Sequence, residues 1–391
     1  MNARSQSLPT GLSIVSIVCF NFASYIANGL PLAVLPGHVL NTLGFSSAMV
    51  GLVIGTQYLT TLLSRPLAGL LADTHGAKRT VMTGLAVLTG SGLLTALAII
   101  LPLPPGVGLA LLITGRILQG ISSALISTPC CTWAIGLHGT SRTAQVMSWN
   151  GIAAYGGTAL GAPLGVLVRD QLGLAGIGFG ITLLGLLPLL FARSRPPAPL
   201  LPGIRLPFHS VFLAVLPNGL AVACSSVGFG SLTAFVALYF DSQDWNNAAY
   251  CLSAFGIAFI CARLASPNAL PRFGGYRVVT FCLKVQTLGL LLVWLAPTPL
   301  VAILGSALTG LGVSWVYPGL GVETLARTPE NNRNSALSTL SLFFDLAVGL
   351  AGPLMGLVAA HFGLSWIFFC SALLSTLGLT LVLCLRQRSG R

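Results

Sequence analysis

Seven carboxylates are all the acid chemistry that this 391-residue chain possesses, so each can be weighed by its position. Asp170, Asp241 and Asp244 fall in connections between apolar runs, as do Asp73 and Glu330. Glu323 stands four residues before Arg327, a favourable helical ion-pair spacing. Asp345 alone lies deep within an apolar run. Counted from Ser335, it is about 15 Å along a helix, the middle of a hydrocarbon core of roughly 30 Å. A carboxyl poised there between desolvation and a nearby cation can alternate between a proton and a substrate. The cations available to it are Lys284, in the ninth apolar run, and Arg116, about 12 Å along the fourth run from Gly108. A fixed ion pair that orients helices is the other reading of Asp345. No histidine lies deep in a run, which argues against a histidine relay. Asn21, Tyr25 and Asn28 are spaced by three and four residues, which puts them on one helical face. With Gln57, Tyr58, Asn150 and Tyr155 they form a candidate polar and aromatic lining for a small organic solute.

These side chains have to be positioned by membrane helices. The composition is 54% hydrophobic and 7% charged, with a mean hydropathy of +0.89, whereas a soluble domain carries roughly a quarter charged residues. A soluble enzyme, a disordered chain and a disulfide scaffold are thereby excluded. Apolar stretches recur at 12–35, 45–71, 80–101, 107–136, 146–168, 174–191, 211–239, 246–265, 276–296, 299–322, 335–360 and 364–385, each long enough for a span. The expected fold is therefore an all-α membrane protein of twelve transmembrane helices. The stretch with Arg193, Arg195, Pro196, Pro197, Pro199, Pro202, Arg205, Pro207 and His209 is too rich in proline to continue a helix. It reads as a cytoplasmic linker over 193–210, joining an N-terminal six-helix bundle, 1–192, to a C-terminal one, 211–391. The first run is too long for a signal-peptide core and reads as the first span.

Net charge is +12, from 19 Lys and Arg against 7 Asp and Glu. The cations sit in clusters between runs and form no nucleic-acid stripe. If both termini are cytoplasmic, Lys78, Arg79, Arg142, the linker arginines, Arg272, Arg277, Arg327, Arg333 and the tail arginines Arg386, Arg388 and Arg391 all fall inside. The nine cysteines lie in apolar runs and read as packing residues, with no zinc spacing and no expected metal or other cofactor. There is no G-x-x-x-x-G-K-[ST] loop for ATP and no H-E-x-x-H or Ser-His couple for an intramembrane enzyme.

The halves also repeat. A shift of 198 places Arg65 on Arg263 and Gly76 on Gly274, and a shift of 190 places Pro163 on Pro353, Leu164 on Leu354 and Gly173 on Gly363. Two six-helix halves related by pseudo-two-fold symmetry are expected, as in repeat-built transporters, with rocking motion favoured over a passive channel.

Three motifs add mechanism. After the second run comes Gly69-Leu70-Leu71-Ala72-Asp73-Thr74-His75-Gly76-Ala77-Lys78-Arg79, a tight turn at Gly76 carrying an acid among cations that can latch helix bundles. Arg116-Ile117-Leu118-Gln119-Gly120 follows in the fourth run. The fifth has Gly157, Gly161 and Pro163 within a stripe of small residues suited to close helix packing, matched by Gly352 and Pro353 in the eleventh. These runs resemble the signature loop, the second motif and the exporter motif of the major facilitator superfamily. The match departs at Thr74 and Ala77, where basic residues are usual, and at Ala162, where a glycine is. Gln145-Val146-Met147-Ser148-Trp149-Asn150-Gly151, Gly321-Val322-Glu323 and Phe344-Asp345-Leu346-Ala347-Val348-Gly349 look like its YhhS/YfcJ-type bacterial branch. That resemblance implies a secondary carrier in the bacterial inner membrane, working as a monomer. It also implies proton-coupled efflux of a sugar, drug or metallophore-like metabolite, energised by the proton gradient. A proton-coupled importer or a passive channel stays open as an alternative.

Overall fold

Hydrocarbon offers no water to backbone groups, so an apolar chain must close its hydrogen bonds within helices or a sealed barrel. The computed structural model describes residues 10–32, 34–35, 38–45, 47–199, 207–246 and 248–389, and among these residues there are helices and no strand. Pro202 and Arg205 of the linker and Arg391 of the tail lie outside the described residues. The main helices are α1 (Thr10–Gly29), α2 (Ser47–His75), α3 (Ala77–Ile100), α4 (Pro105–His138), α5 (Thr143–Leu172) and α6 (Ala175–Ser194), then α7 (Phe208–Ser242), α8 (Ala249–Ala265), α9 (Gly275–Trp294), α10 in two segments (Pro299–Ser314 and Val316–Ala326), α11 (Arg333–Phe362) and α12 (Trp366–Ser389). Among the described residues, nine of them are long and apolar enough to cross a membrane, with α1 and α8 as shorter apolar helices.

Contacts divide the chain into two units, Met1–Ile204 with Arg333–Ser338, and Arg205–Asn332 with Thr339–Arg391. In the first unit α3 packs on α4 and α6, α2 on α4, and α1 on α5 and α4. In the second, α9 packs on α10 and α12, α8 on α10, and α7 on α12. The pairings α3–α4, α3–α6 and α2–α4 thus recur as α9–α10, α9–α12 and α8–α10. The backbone repeats as well: Gly76 (φ 92°) and Gly274 (φ 79°) precede α3 and α9, while Gly173 (φ 73°) and Gly363 (φ 97°) follow α5 and α11. Positive φ at all four positions is cheap only for glycine, which explains why these glycines survive both sequence shifts.

The small-residue stripe of α5 lies against α1. A Cβ on Gly157 would stand 2.8 Å from the Phe22 carbonyl oxygen, one on Gly161 2.5 Å from that of Ile26, and one on Gly165 2.0 Å from that of Leu30. Three successive turns therefore require backbone-to-backbone contact that only glycine allows. Pro163 sits on the opposite, exposed side of α5. The stripe in α11 is different, because a Cβ on Gly352 would meet no heavy atom within 4 Å, and Pro353 beside it is exposed.

The tenth apolar run differs from the single continuous span expected of it. It breaks at Trp315, and the cause is Pro318, which has no N–H to give the Ser314 carbonyl one turn back. Arg263 of α8 fills that place, donating to Ser314 O from Nε at 3.1 Å and from Nη2 at 2.7 Å. Its guanidinium carbon lies 4.4 Å from the Phe259 ring centroid and 5.9 Å from that of Trp315.

Two stability measurements in detergent follow. Gly161→Ala should lower the unfolding free energy by about 2 kcal/mol through overpacking against α1, whereas Gly352→Ala should leave it unchanged; equal effects would contradict the packing described. Arg263→Gln should cost about 2 kcal/mol by orphaning the Ser314 carbonyl. Adding Pro318→Ala, which restores an N–H, should recover about half of that loss.

Candidate functional site

Polar side chains in the first unit gather where α1, α2, α4 and α5 meet, and they form two layers along α4. The layer toward the C-terminal end of α4 is bonded across four helices, with Asn21 Oδ1 left without a hydrogen-bond partner among the described residues. Arg65 of α2 donates from Nη1 to the Ser127 hydroxyl and to Thr128 Oγ1 at 3.0 Å. Asn150 of α5 donates to the Ser127 carbonyl at 3.3 Å and accepts from Asn21 of α1 at 3.0 Å. Asn21 and Asn150 are thus direct partners that tie α1 to α5 and α4. Tyr25, half-buried one turn along α1, backs onto Gly157, and Tyr155 is half-buried on α5.

The layer toward the N-terminal end of α4 is built around Arg116, which is 2% exposed. Its Nη1 donates to Gln119 Oε1 at 2.8 Å, and Gln119 in turn donates to the Ala27 carbonyl of α1 at 2.8 Å. Asn28 donates to the Ser123 hydroxyl at 3.0 Å. From α2, Thr61 donates to the Gly120 carbonyl at 3.1 Å, and Gln57 presses its backbone so close to Gly120 that a Cβ there would be 2.4 Å from the Gln57 carbonyl oxygen. Gln57 is buried and its Oε1 has no hydrogen-bond partner among the described residues, whereas Tyr58 next to it is 53% exposed. Asn28, Gln57, Tyr58 and Arg116 are therefore brought together.

In the second unit Asp345 lies about 18 Å along α11 from Arg333 and is half-buried. Beside it is a row of aromatic rings that sequence reasoning did not single out. Phe229 of α7 stacks on Phe255 of α8 with centroids 5.2 Å apart and lies 6.5 Å from Phe344, which is 6.4 Å from Tyr317. A phenylalanine in an apolar run gives no sequence signal of lining a site. Gln286 of α9 did give one, as a lone amide in an apolar run. It is buried and exchanges hydrogen bonds with Ser225 of α7, accepting at 2.6 Å and donating to the backbone at 2.7 Å. Lys284 is placed elsewhere: it is exposed, on the face of α9 that carries Phe281 and Leu288. The Glu323–Arg327 pair forms at 3.9 Å, and Arg327 also donates to the Tyr276 hydroxyl.

The loop after α2 is a connector with a definite target. Asn332 at the N-cap of α11 makes no side-chain capping bond. Asp73 of α2 supplies the cap instead: Oδ1 accepts from Asn334 N at 3.2 Å and Nδ2 at 2.7 Å, and Oδ2 from Ser335 N at 3.0 Å and from the Ser335 hydroxyl. A carboxylate at a helix N-terminus satisfies orphan N–H groups and meets the positive end of the helix dipole. Gly69 allows the approach, since a Cβ there would be 2.8 Å from Ser335 Cα. Lys78 donates to the carbonyls of Arg193, at 2.9 Å, and Arg195, holding the start of the linker, while Arg79 is exposed. Among the described residues no three His, Cys, Asp or Glu side chains group as a metal site.

The chain matches the Major Facilitator Superfamily over residues 17–283 and again over 252–391. It is 48% identical over 380 residues to an uncharacterized MFS-type transporter of Pseudomonas aeruginosa strain UCBPP-PA14, covering 97% of this chain and 94% of that one. Among solved structures, a bacterial homologue of the iron transporter ferroportin in an outward-facing state aligns with a TM-score of 0.81 at 14% identity, over 98% of this chain and 100% of the other. The proton:xylose symporter XylE aligns with a TM-score of 0.77 at 16% identity, over 95% of each chain.

The cap predicts a local effect. In Asp73→Ala, amide hydrogen exchange across 333–338 should speed up about tenfold, as for loss of a helix cap worth about 1.4 kcal/mol. Asp73→Asn should lie between. Unchanged exchange in both variants would show that the cap does not hold α11.

Proposed function

This chain belongs to the major facilitator superfamily, and from that premise we propose that it is a proton-coupled secondary carrier that exports a small organic solute by alternating access. The observation that carries the coupling is Asp345, a half-buried carboxylate midway along a membrane helix and next to an aromatic row. A carboxylate so placed is costly to keep in a span and marks a functional group by default. Proton movement and solute movement are linked through it: Asp345 takes up a proton on one side and gives it up on the other as the solute crosses. The glycine stripe of α5 against α1, which resembles the exporter motif, supports the outward direction. α11 is anchored by Asp73 at its first turn and carries Asp345 further along, so making and breaking the cap is the step that ties helix movement to the coupling acid. The protein works as a monomer in the bacterial inner membrane, with both termini cytoplasmic.

Purified protein in proteoliposomes tests this. A pH gradient of the right polarity should drive saturable solute flux, and Asp345→Asn should reduce gradient-driven flux at least tenfold while solute exchange without a gradient survives. Full proton-driven transport with unchanged pH dependence in Asp345→Asn would end the coupling role. Flux driven only by the opposite gradient would make the protein an importer, and flux that never saturates would make it a channel.

A further inference from the structure

Among the described residues, three arginines are buried inside the helices, and two of them are accounted for. Arg65, 5% exposed, donates to two hydroxyls, and Arg263, 4% exposed, donates twice to an orphaned carbonyl and stacks on aromatic rings. Arg116, 2% exposed, spends only Nη1, on Gln119, and its Nε and Nη2 have no hydrogen-bond partner among the described residues. Those two nitrogens share one edge of the guanidinium, and their parallel N–H bonds form the fork that receives a carboxylate or phosphate through two hydrogen bonds.

The unit has no acid to put there. Residues 1–204 and 333–338 contain only Asp73 and Asp170. Asp73 is committed to the first turn of α11, and Asp170 is paired with Arg169 at 2.8 Å in an exposed position. A guanidinium buried this deeply is costly unless paired, so the missing charge has to come from outside the unit. The surroundings are arranged for it. Gln119, fixed by the Ala27 carbonyl, holds the guanidinium by Nη1 and leaves the donors of the other edge unspent.

We infer that the Nε/Nη2 edge of Arg116 is the binding site for an oxyanion of the transported solute, and that the carrier's substrates are small organic anions bearing a carboxylate or phosphate. This rests on the carrier reading above and deepens it by naming the substrate class. Gln119 is a positioning residue, since it acts through the orientation of Arg116.

Full-length protein in detergent is titrated with benzoate, phenyl phosphate and neutral benzamide, following binding heat and thermal unfolding. Saturable binding of an oxyanion but not of benzamide is expected, and preference between the two anions identifies carboxylate or phosphate. Arg116→Gln should weaken oxyanion binding at least tenfold, with Arg116→Lys in between. Should Arg116→Gln fail to fold, Gln119→Glu carries the test, because it keeps the arginine and supplies an internal carboxylate that competes with the ligand. Oxyanion binding no better than benzamide, or unchanged in the variants that fold, overturns the anion site. A neutral or cationic solute whose saturable, gradient-driven flux survives Arg116→Gln also overturns it and leaves the carrier standing. Unsaturable flux of a bound anion would instead overturn the carrier and leave the anion site intact.

Discussion

With seven acids against nineteen lysines and arginines, and much of the chain in an apolar medium, each buried charge must find compensation from a short supply. A low dielectric magnifies both a satisfied charge and an unsatisfied one. Among the described residues, part of this demand is met by hydrogen bonds to neutral groups. Arg65 takes hydroxyls, Arg263 takes a carbonyl set loose by Pro318, and Asp73 takes backbone N–H groups at the start of α11. These partners are dipoles, and they can be supplied by a chain that is almost free of acids.

That economy gives the fold its points of attachment. In a bilayer apolar faces gain little from meeting each other, so close packing and interhelical hydrogen bonds have to hold helices together. The glycine stripe on α5 supplies the first against α1, and the Asn21–Asn150–Ser127–Arg65 chain supplies the second across four helices. The same pairings of helices recur in the second unit with different chemistry. Gln286 and Ser225 join α9 to α7, and Arg263 closes the break in α10. The repeat therefore preserves helix order and glycine turns while the polar contacts diverge.

Much of the site was legible as residue types. A polar side chain in an apolar run is conspicuous, which is why Asn21, Asn28, Gln57, Asn150 and Arg116 stood out, and the three-to-four spacing put several on one face. Residues of ordinary core type were not legible: Phe229, Phe255 and Phe344 are indistinguishable in the sequence from lipid-facing phenylalanines. Nor did polarity separate Lys284, on an exposed face with Phe281 and Leu288, from Arg116, which is fully enclosed.

The sequence by itself determined the apolar helices and the internal repeat with its paired glycine turns. These follow from composition and spacing along one chain. The tertiary structure decided that Asp73 caps α11, that Gly161 is pressed against α1 while Gly352 meets nothing, that Pro318 opens α10 for Arg263, and that Arg116 keeps two donors without a protein partner. Helical periodicity tells which residues share a face. Which neighbour covers that face depends on contacts between residues far apart in the chain, and those contacts fix whether a buried polar group is satisfied.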